Sequence, residues 1–372
     1  MPDPRIRRWA ETLTNYCLYV KPGETVGIYA TPLAGPLVEE VYRAVLRAGG
    51  HPLVRLSLPE LTEVFLKEAS DEQLTYVSPV DEALAETLDA RLRISSEANV
   101  RALANVDPAR QALFQRSGGP AARRYREREQ EGKFKWCGTL YPTQASAQNA
   151  EMSLADFTEF VFEACFLNDD NTAERWRDLG HRQQRYVDWL KGKERVRVVG
   201  RDTDLTLSIA GRTFINSDGK RNFPSGEFFT GPVEESVEGT IRYTIPSSIS
   251  GRVVQDVTLR FHKGEVVEAR AVQGQEFLEK MLNIDAGARR VGEFAVGNNF
   301  GITRGICNTL FDEKIGGTIH MALGDSYPET GGLNKSALHW DLVCDLRPAA
   351  GGGEVWVDDE LFLKDGKLMI GA

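Results

Sequence analysis

Cysteine is scarce in this 372-residue chain, and the five that occur, Cys17, Cys137, Cys165, Cys307 and Cys344, never form a C-x-x-C pair. An odd number of widely separated cysteines fits reduced, buried thiols in a reducing compartment and excludes a thiolate metal site. Histidine is equally rare, at five residues. No apolar run reaches the length of a bilayer span, and the opening MPDPRIRRWAETL has no uninterrupted apolar segment of the secretory type. The protein is therefore expected to stay in the cytoplasm and off membranes. A clustered basic face is also missing: 45 basic against 54 acidic residues leave a net charge of −9, which argues against a nucleic-acid partner. The most basic stretch, 123–129, interleaves arginines with acids at helical spacing, Arg124 facing Arg128 being the exception, and reads as a solvated helix surface. Neither G-x-G-x-x-G nor G-x-x-x-x-G-K-[ST] stands at a strand-to-helix turn, so no nucleotide site is indicated.

What is present divides into two parts. At roughly 100–200 residues per domain the length calls for two. In the first part, Ile6, Trp9, Ala10, Leu13, Tyr16 and Cys17 recur at helical spacing, and a strand at 25–30, a helix at 35–48 and a strand at 52–57 form a right-handed βαβ unit. Strands at 90–95 and 134–140, a long charged helix over about 108–131, and helices at 154–166 and 172–190 continue the pattern. Residues 1–192 thus read as an α/β scaffold domain with a mainly parallel sheet. After Lys191-Gly192-Lys193 short β runs take over, at 195–199, 204–209, 239–245, 253–262 and 266–271, with one helix at 276–282. Lys263-Gly264 and Asp365-Gly366 are hairpin turns, and His262 beside the first is expected at the surface. Residues 193–372 read as an α+β domain with a mainly antiparallel sheet, and it holds the polar clusters.

The stretch 310–345 carries two of the five histidines. In ALHWDLVCDL, His339 and Asp341 are two apart on a strand, so imidazole and carboxylate share a face. In 318–324, Ile319, Met321 and Leu323 alternate with His320, Ala322 and Gly324, which leaves His320 on a face cleared of bulk. Either histidine alone reads more readily as a hydrogen-bonded strand residue, and it is the pair, with a carboxylate at i+2, that puts a metal on equal terms. Two further acids keep unusual company: Glu227, framed by Phe223-Pro224-Ser225-Gly226 and Phe228-Phe229-Thr230-Gly231-Pro232, and Glu293, inside the β run VGEFAVG. A buried lone carboxylate costs several kcal/mol unless a cation or donors meet it; facing water on an edge strand is the plain alternative. Together these two imidazoles and three carboxylates suit one or two divalent ions such as Zn, Co or Mn.

The strings PSGEFFTGPVEESVEGTI, VGEFAVGNN, and HMALGDSYP followed by LNKSALHWD resemble the M29 family of metalloaminopeptidases, the aminopeptidase T family. The resemblance implies that Glu227, Glu293, His320, His339 and Asp341 are metal ligands and that Tyr327 is an active-site tyrosine. It further implies two divalent ions, peptide substrates cut at the amino terminus, and a homodimer whose active sites face an enclosed interior. Glu234, Glu235 and Glu238 are candidates for anchoring a substrate ammonium or for a base, or form a solvated loop. One rival is a non-haem Fe(II) ring-cleaving dioxygenase of the dihydroxypyridine type, for which His320, His339 and Asp341 suffice as a facial triad. A serine hydrolase using Ser336, His339 and Asp341 lacks a G-x-S-x-G elbow. A binding module stapled by a closed structural metal is a third.

Overall fold

The computed structural model describes residues 3–249 and 251–370. The chain divides into two compact units, Met1–Ala173 with Lys220–Phe223, and Glu174–Gly219 with Pro224–Ala372. The change of pattern in the sequence puts the division after residue 192 instead. The difference lies in helix Thr172–Leu190, whose Val187 and Leu190 enter the second unit's core although the helix resembles those before it in composition.

In the first unit, strands Thr25–Ala30, His51–Leu56, Ala90–Ser95 and Lys135–Leu140 pair in parallel, with the His51 strand at one edge. Asn222–Phe223 returns late in the chain to add a fifth parallel strand beside Lys135–Leu140. Helix Gly35–Arg47 makes the first crossover and buries Leu37, Val38, Val41, Ala44 and Val45, an apolar stripe at i, i+1, i+4, i+7 and i+8. The long helix expected over 108–131 is two helices, Pro108–Ser117 and Gly119–Gln130. Pro120 lacks the N–H needed to continue the first helix but is preorganised for the first turn of the second.

The second unit is antiparallel. Its nine-stranded sheet runs Ser247–Ile249, Arg252–His262, Glu238–Tyr243, Thr203–Ser208, Arg195–Gly200, Gly353–Val357, Glu360–Lys364 and Lys367–Leu368, with Glu265–Gln273 paired to Arg252–His262. A five-stranded sheet runs His339–Asp345, Thr318–Gly324, Val291–Gly297, Glu227–Thr230 and Ile215–Ser217. One face of this second sheet is core: Phe228, Phe294, Val296, Ile319, Met321, Leu323, Trp340, Leu342 and Cys344 are all buried together. Alternation then sends Glu227, Glu293, His320, His339 and Asp341 to the other face. Ala295, Gly297, Ala322 and Gly324 lie on that face as well, so little bulk separates the polar groups.

Candidate metal centre

Two glycines set the carboxylates. Gly226 has φ +110°, and a Cβ there would meet Asn299 Cβ at 2.8 Å, so only glycine admits the turn that delivers Glu227 to its strand. Buried Gln183, from helix Thr172–Leu190, secures the same point by donating Nε2–H to the Glu227 carbonyl at 3.0 Å and to Asn216 Oδ1 at 2.7 Å. At Gly292 the ladder with Thr318–Gly324 shifts register. This bulge sends Val291 into the core and Glu293, two residues on, to the opposite face. A Cβ on Gly292 would lie 2.3 Å from the Asp325 carbonyl oxygen and 2.4 Å from that of Gly324.

The five side chains converge. Glu293 presents one oxygen to each imidazole, Oε1 at 3.2 Å from His320 Nε2 and Oε2 at 3.5 Å from His339 Nε2. Asp341 Oδ1 lies between the same two nitrogens, 3.9 Å from His320 and 3.6 Å from His339. Glu227 Oε2 stands 3.5 Å from His320 Nε2. Glu227, Glu293 and His320 therefore form one group able to surround an ion, and Glu293, His339 and Asp341 a second that shares Glu293. His339 Nδ1 is 2.8 Å from the Asp325 carbonyl, which can only accept, so Nδ1 carries the hydrogen and Nε2 turns its lone pair toward the cluster.

Burial is deep: Glu227, Glu293 and Asp341 are 4%, 4% and 7% exposed, and His320 is fully enclosed. Burial raises the Glu293 pKa, as do the charges of Asp341 and Glu227, against the hydrogen bond from His320. For both histidines burial works downward but is outweighed. His320 is raised by its hydrogen bond to Glu293 and by the carboxylates of Glu227, Glu293 and Asp341, and His339 chiefly by Asp341 and Glu293. Buried Glu227 Oε2, Asp341 Oδ1 and His320 Nδ1 have no hydrogen-bond partner among the described residues. Orphaned carboxylate oxygens in a dry site are costly, and a divalent cation is the partner that this donor set of imidazole nitrogen and carboxylate oxygen fits.

A sixth and a seventh residue join that the sequence did not single out. Glu313 forms a further group with His320 and Asp341. Lys314, fully buried, touches Glu313 and lies with Nζ 3.0 Å from Glu227 Oε1. The string Asp312-Glu313-Lys314 is charged, like many loops, and its burial is invisible until Asn299 is seen to hold it: Asn299 N–H donates to the Lys314 carbonyl and Gly316 N–H to that of Asn299. Asp312 accepts N–H groups from Ile306 and Asn308, yet burial pushes its pKa up to about 7.

Of the other candidates, only Tyr327 adjoins the cluster. The Tyr327 ring stands 5.2 Å from that of His339 and 5.4 Å from that of Phe229. Ser336 Oγ donates to Asp285 at 2.8 Å, while His339 is engaged with Asp325, so the serine triad does not form. Exposed His262 contacts Glu238, whose other oxygen accepts the Lys263 N–H in the hairpin turn. His320, His339 and Asp341 do not stand apart as a facial triad, because Glu293 approaches each imidazole more closely than Asp341 does.

Comparisons with known proteins identify the chain's relatives. The family model described as thermophilic metalloprotease (M29) matches residues 2–367. Aminopeptidase 2 of Geobacillus stearothermophilus is 29% identical over 381 residues, covering 92% of each chain. Aminopeptidase T of Thermus aquaticus is 30% identical over 258 residues, 62% of this chain and 60% of that one. The structure of wild-type AmpT from Thermus thermophilus shares the fold, with a TM-score of 0.84 over 99% of both chains at 24% identity. A match that begins at residue 2 and ends at residue 367 leaves almost no sequence outside it: the chain belongs to the thermophilic metalloprotease family M29.

Proposed function

We propose that the protein is an aminopeptidase that binds two divalent ions, Zn, Co or Mn, through Glu227, Glu293, His320, His339 and Asp341, and releases amino-terminal residues from peptides. The observation that carries this reading is the double presentation of Glu293, one oxygen to each histidine, with Asp341 between them. Glu293 would be shared between two ions, to which His320 and His339 would each offer a nitrogen. When bound, such ions supply an acidified water and polarise the scissile carbonyl. Four carboxylates, Glu227, Glu293, Glu313 and Asp341, gather around one buried Lys314, a surplus of acidic groups that divalent ions would offset.

The chain's own groups complete the reaction. His339, held by Asp325, keeps its Nε2 lone pair aimed inward. Burial and the charges of Glu293, Asp341 and Glu227 raise the Tyr327 pKa, so its hydroxyl keeps its proton at neutral pH and can donate to the carbonyl oxygen as charge develops. A donor of that kind contributes ~3 kcal/mol. The first unit, Met1–Ala173 with Lys220–Phe223, acts as the scaffold in this reading, and the protein works in the cytoplasm as a homodimer, which sedimentation checks. No helix among the described residues is long and apolar enough to cross a membrane.

Elemental analysis of purified protein, with hydrolysis of aminoacyl-p-nitroanilides, tests the proposal. The expected result is about two metal equivalents per chain and turnover that a chelator removes. Metal-replete protein that hydrolyses no aminoacyl-nitroanilide overturns it.

A further inference from the structure

The acidic run at 234–238 stood in the sequence as a possible anchor for a substrate ammonium. Its first member is engaged otherwise. Glu234 Oε2 accepts from Arg212 Nη2 at 2.6 Å, and Oε1 accepts the Leu333 backbone N–H at 2.6 Å. The two side chains are 18% and 9% exposed, so the pair is largely dry and its disruption would strand a charge. The segment that Glu234 grips begins with Tyr327. Thr330 closes a turn on it, donating its hydroxyl to the Tyr327 carbonyl at 2.7 Å, and the Thr330 carbonyl accepts the Thr213 N–H at 3.0 Å. Gly231 lets the strand end press against the same turn, since a Cβ there would lie 2.9 Å from Thr330 Oγ1 and 3.1 Å from Gly332 Cα. Tyr327 itself is 45% exposed. On one side its ring meets only those of Phe229 and His339, so the segment behind it has a share in holding it there.

We propose that Glu234, together with Arg212, is a positioning residue: it fastens the segment from Tyr327 to Leu333 so that the phenol is held at the metal cluster. This rests on the reading of Tyr327 as the oxyanion donor of an aminopeptidase. Glu234 acts through the Leu333 N–H and the Arg212 pair, and touches neither substrate nor metal.

The test measures kcat and KM on an aminoacyl-p-nitroanilide for metal-loaded wild type, Glu234→Ala, Glu234→Gln, Tyr327→Phe and the double variant Glu234→Ala/Tyr327→Phe. Hydrogen exchange is followed over residues 326–333. Tyr327→Phe is expected to lower kcat about 100-fold, and Glu234→Ala about 10-fold with KM and metal content near wild type. The double variant should be no slower than Tyr327→Phe, because the clamp has nothing left to position. Glu234→Gln keeps an acceptor for Leu333 but turns an amide NH2 toward Arg212, so it should recover part of the loss, with exchange faster than in wild type and slower than in Glu234→Ala. Losses that multiply in the double variant, or unchanged kcat in Glu234→Ala despite faster exchange, overturn the positioning role and leave the aminopeptidase reading intact. Wild-type kcat in Tyr327→Phe removes the tyrosine and the clamp's purpose together, and a wild type without turnover sinks the aminopeptidase reading itself.

Discussion

At the scale of single residues the cluster divides labour by geometry. Glu293 faces both histidines, whereas Glu227 faces only His320. Replacing a carboxylate by its amide keeps the shape and removes the charge, so Glu227→Gln and Glu293→Gln should each lower turnover by more than about 100-fold with circular dichroism unchanged. Metal analysis separates them: Glu293→Gln is expected to lose both equivalents and Glu227→Gln one, and full occupancy in either would remove that carboxylate from the ligand set. Lys314 gives the opposite sign. It stands between Glu227 and Glu313 in a dry pocket, so Lys314→Met leaves uncompensated charge worth about 3–5 kcal/mol of stability to the chelated protein. Divalent ions restore the balance, so calorimetry should find a wider gap between metal-loaded and metal-free melting temperatures than in wild type. His320, His339 and Asp341 were legible because strand alternation states faces directly. Glu313 and Lys314 were not, because an acid next to a lysine ordinarily reads as loop, and nothing local reveals that Asn299 draws it inside.

At the scale of elements, the signal in the sequence was a glycine immediately before each buried glutamate. Gly226 and Gly292 mark the two places where backbone must approach backbone closely. Gly292→Ala puts a methyl group against two carbonyl oxygens, one of them on Asp325, the partner of His339. Urea unfolding should register a loss of about 1–3 kcal/mol, and kcat should fall with it through the displaced imidazole. An unchanged midpoint would mean the bulge relaxes without cost. Periodicity located most strands and helices, including Thr25–Ala30, Ala90–Ser95 and Thr172–Leu190. It failed where an element's partner lies far off in sequence. Asn222–Phe223 is too short to show alternation and becomes a strand only against Lys135–Leu140. Helix Thr172–Leu190 was found, but its allegiance to the second unit rests on Val187 and Leu190 meeting a core built downstream.

For the whole molecule, buried orphan oxygens mean that folding leaves electrostatic work undone until cations arrive. Ligands that bind only the native state stabilise it by mass action, about 2.7 kcal/mol at a hundred times the dissociation constant. Stripping the metal with a chelator should therefore lower the thermal midpoint as well as abolish turnover, and replacement of Zn, Co or Mn should restore both. A midpoint indifferent to chelation would argue that the cluster is satisfied by protons and by Lys314 alone. The late return of Lys220–Phe223 to the first unit's sheet bears on how the polypeptide is made. On the ribosome, the amino-terminal sheet stays one strand short until Phe223 has left the exit tunnel. A gene truncated after residue 173 therefore encodes an unfinished sheet with a bare edge along Lys135–Leu140, prone to pair with whatever strand it meets.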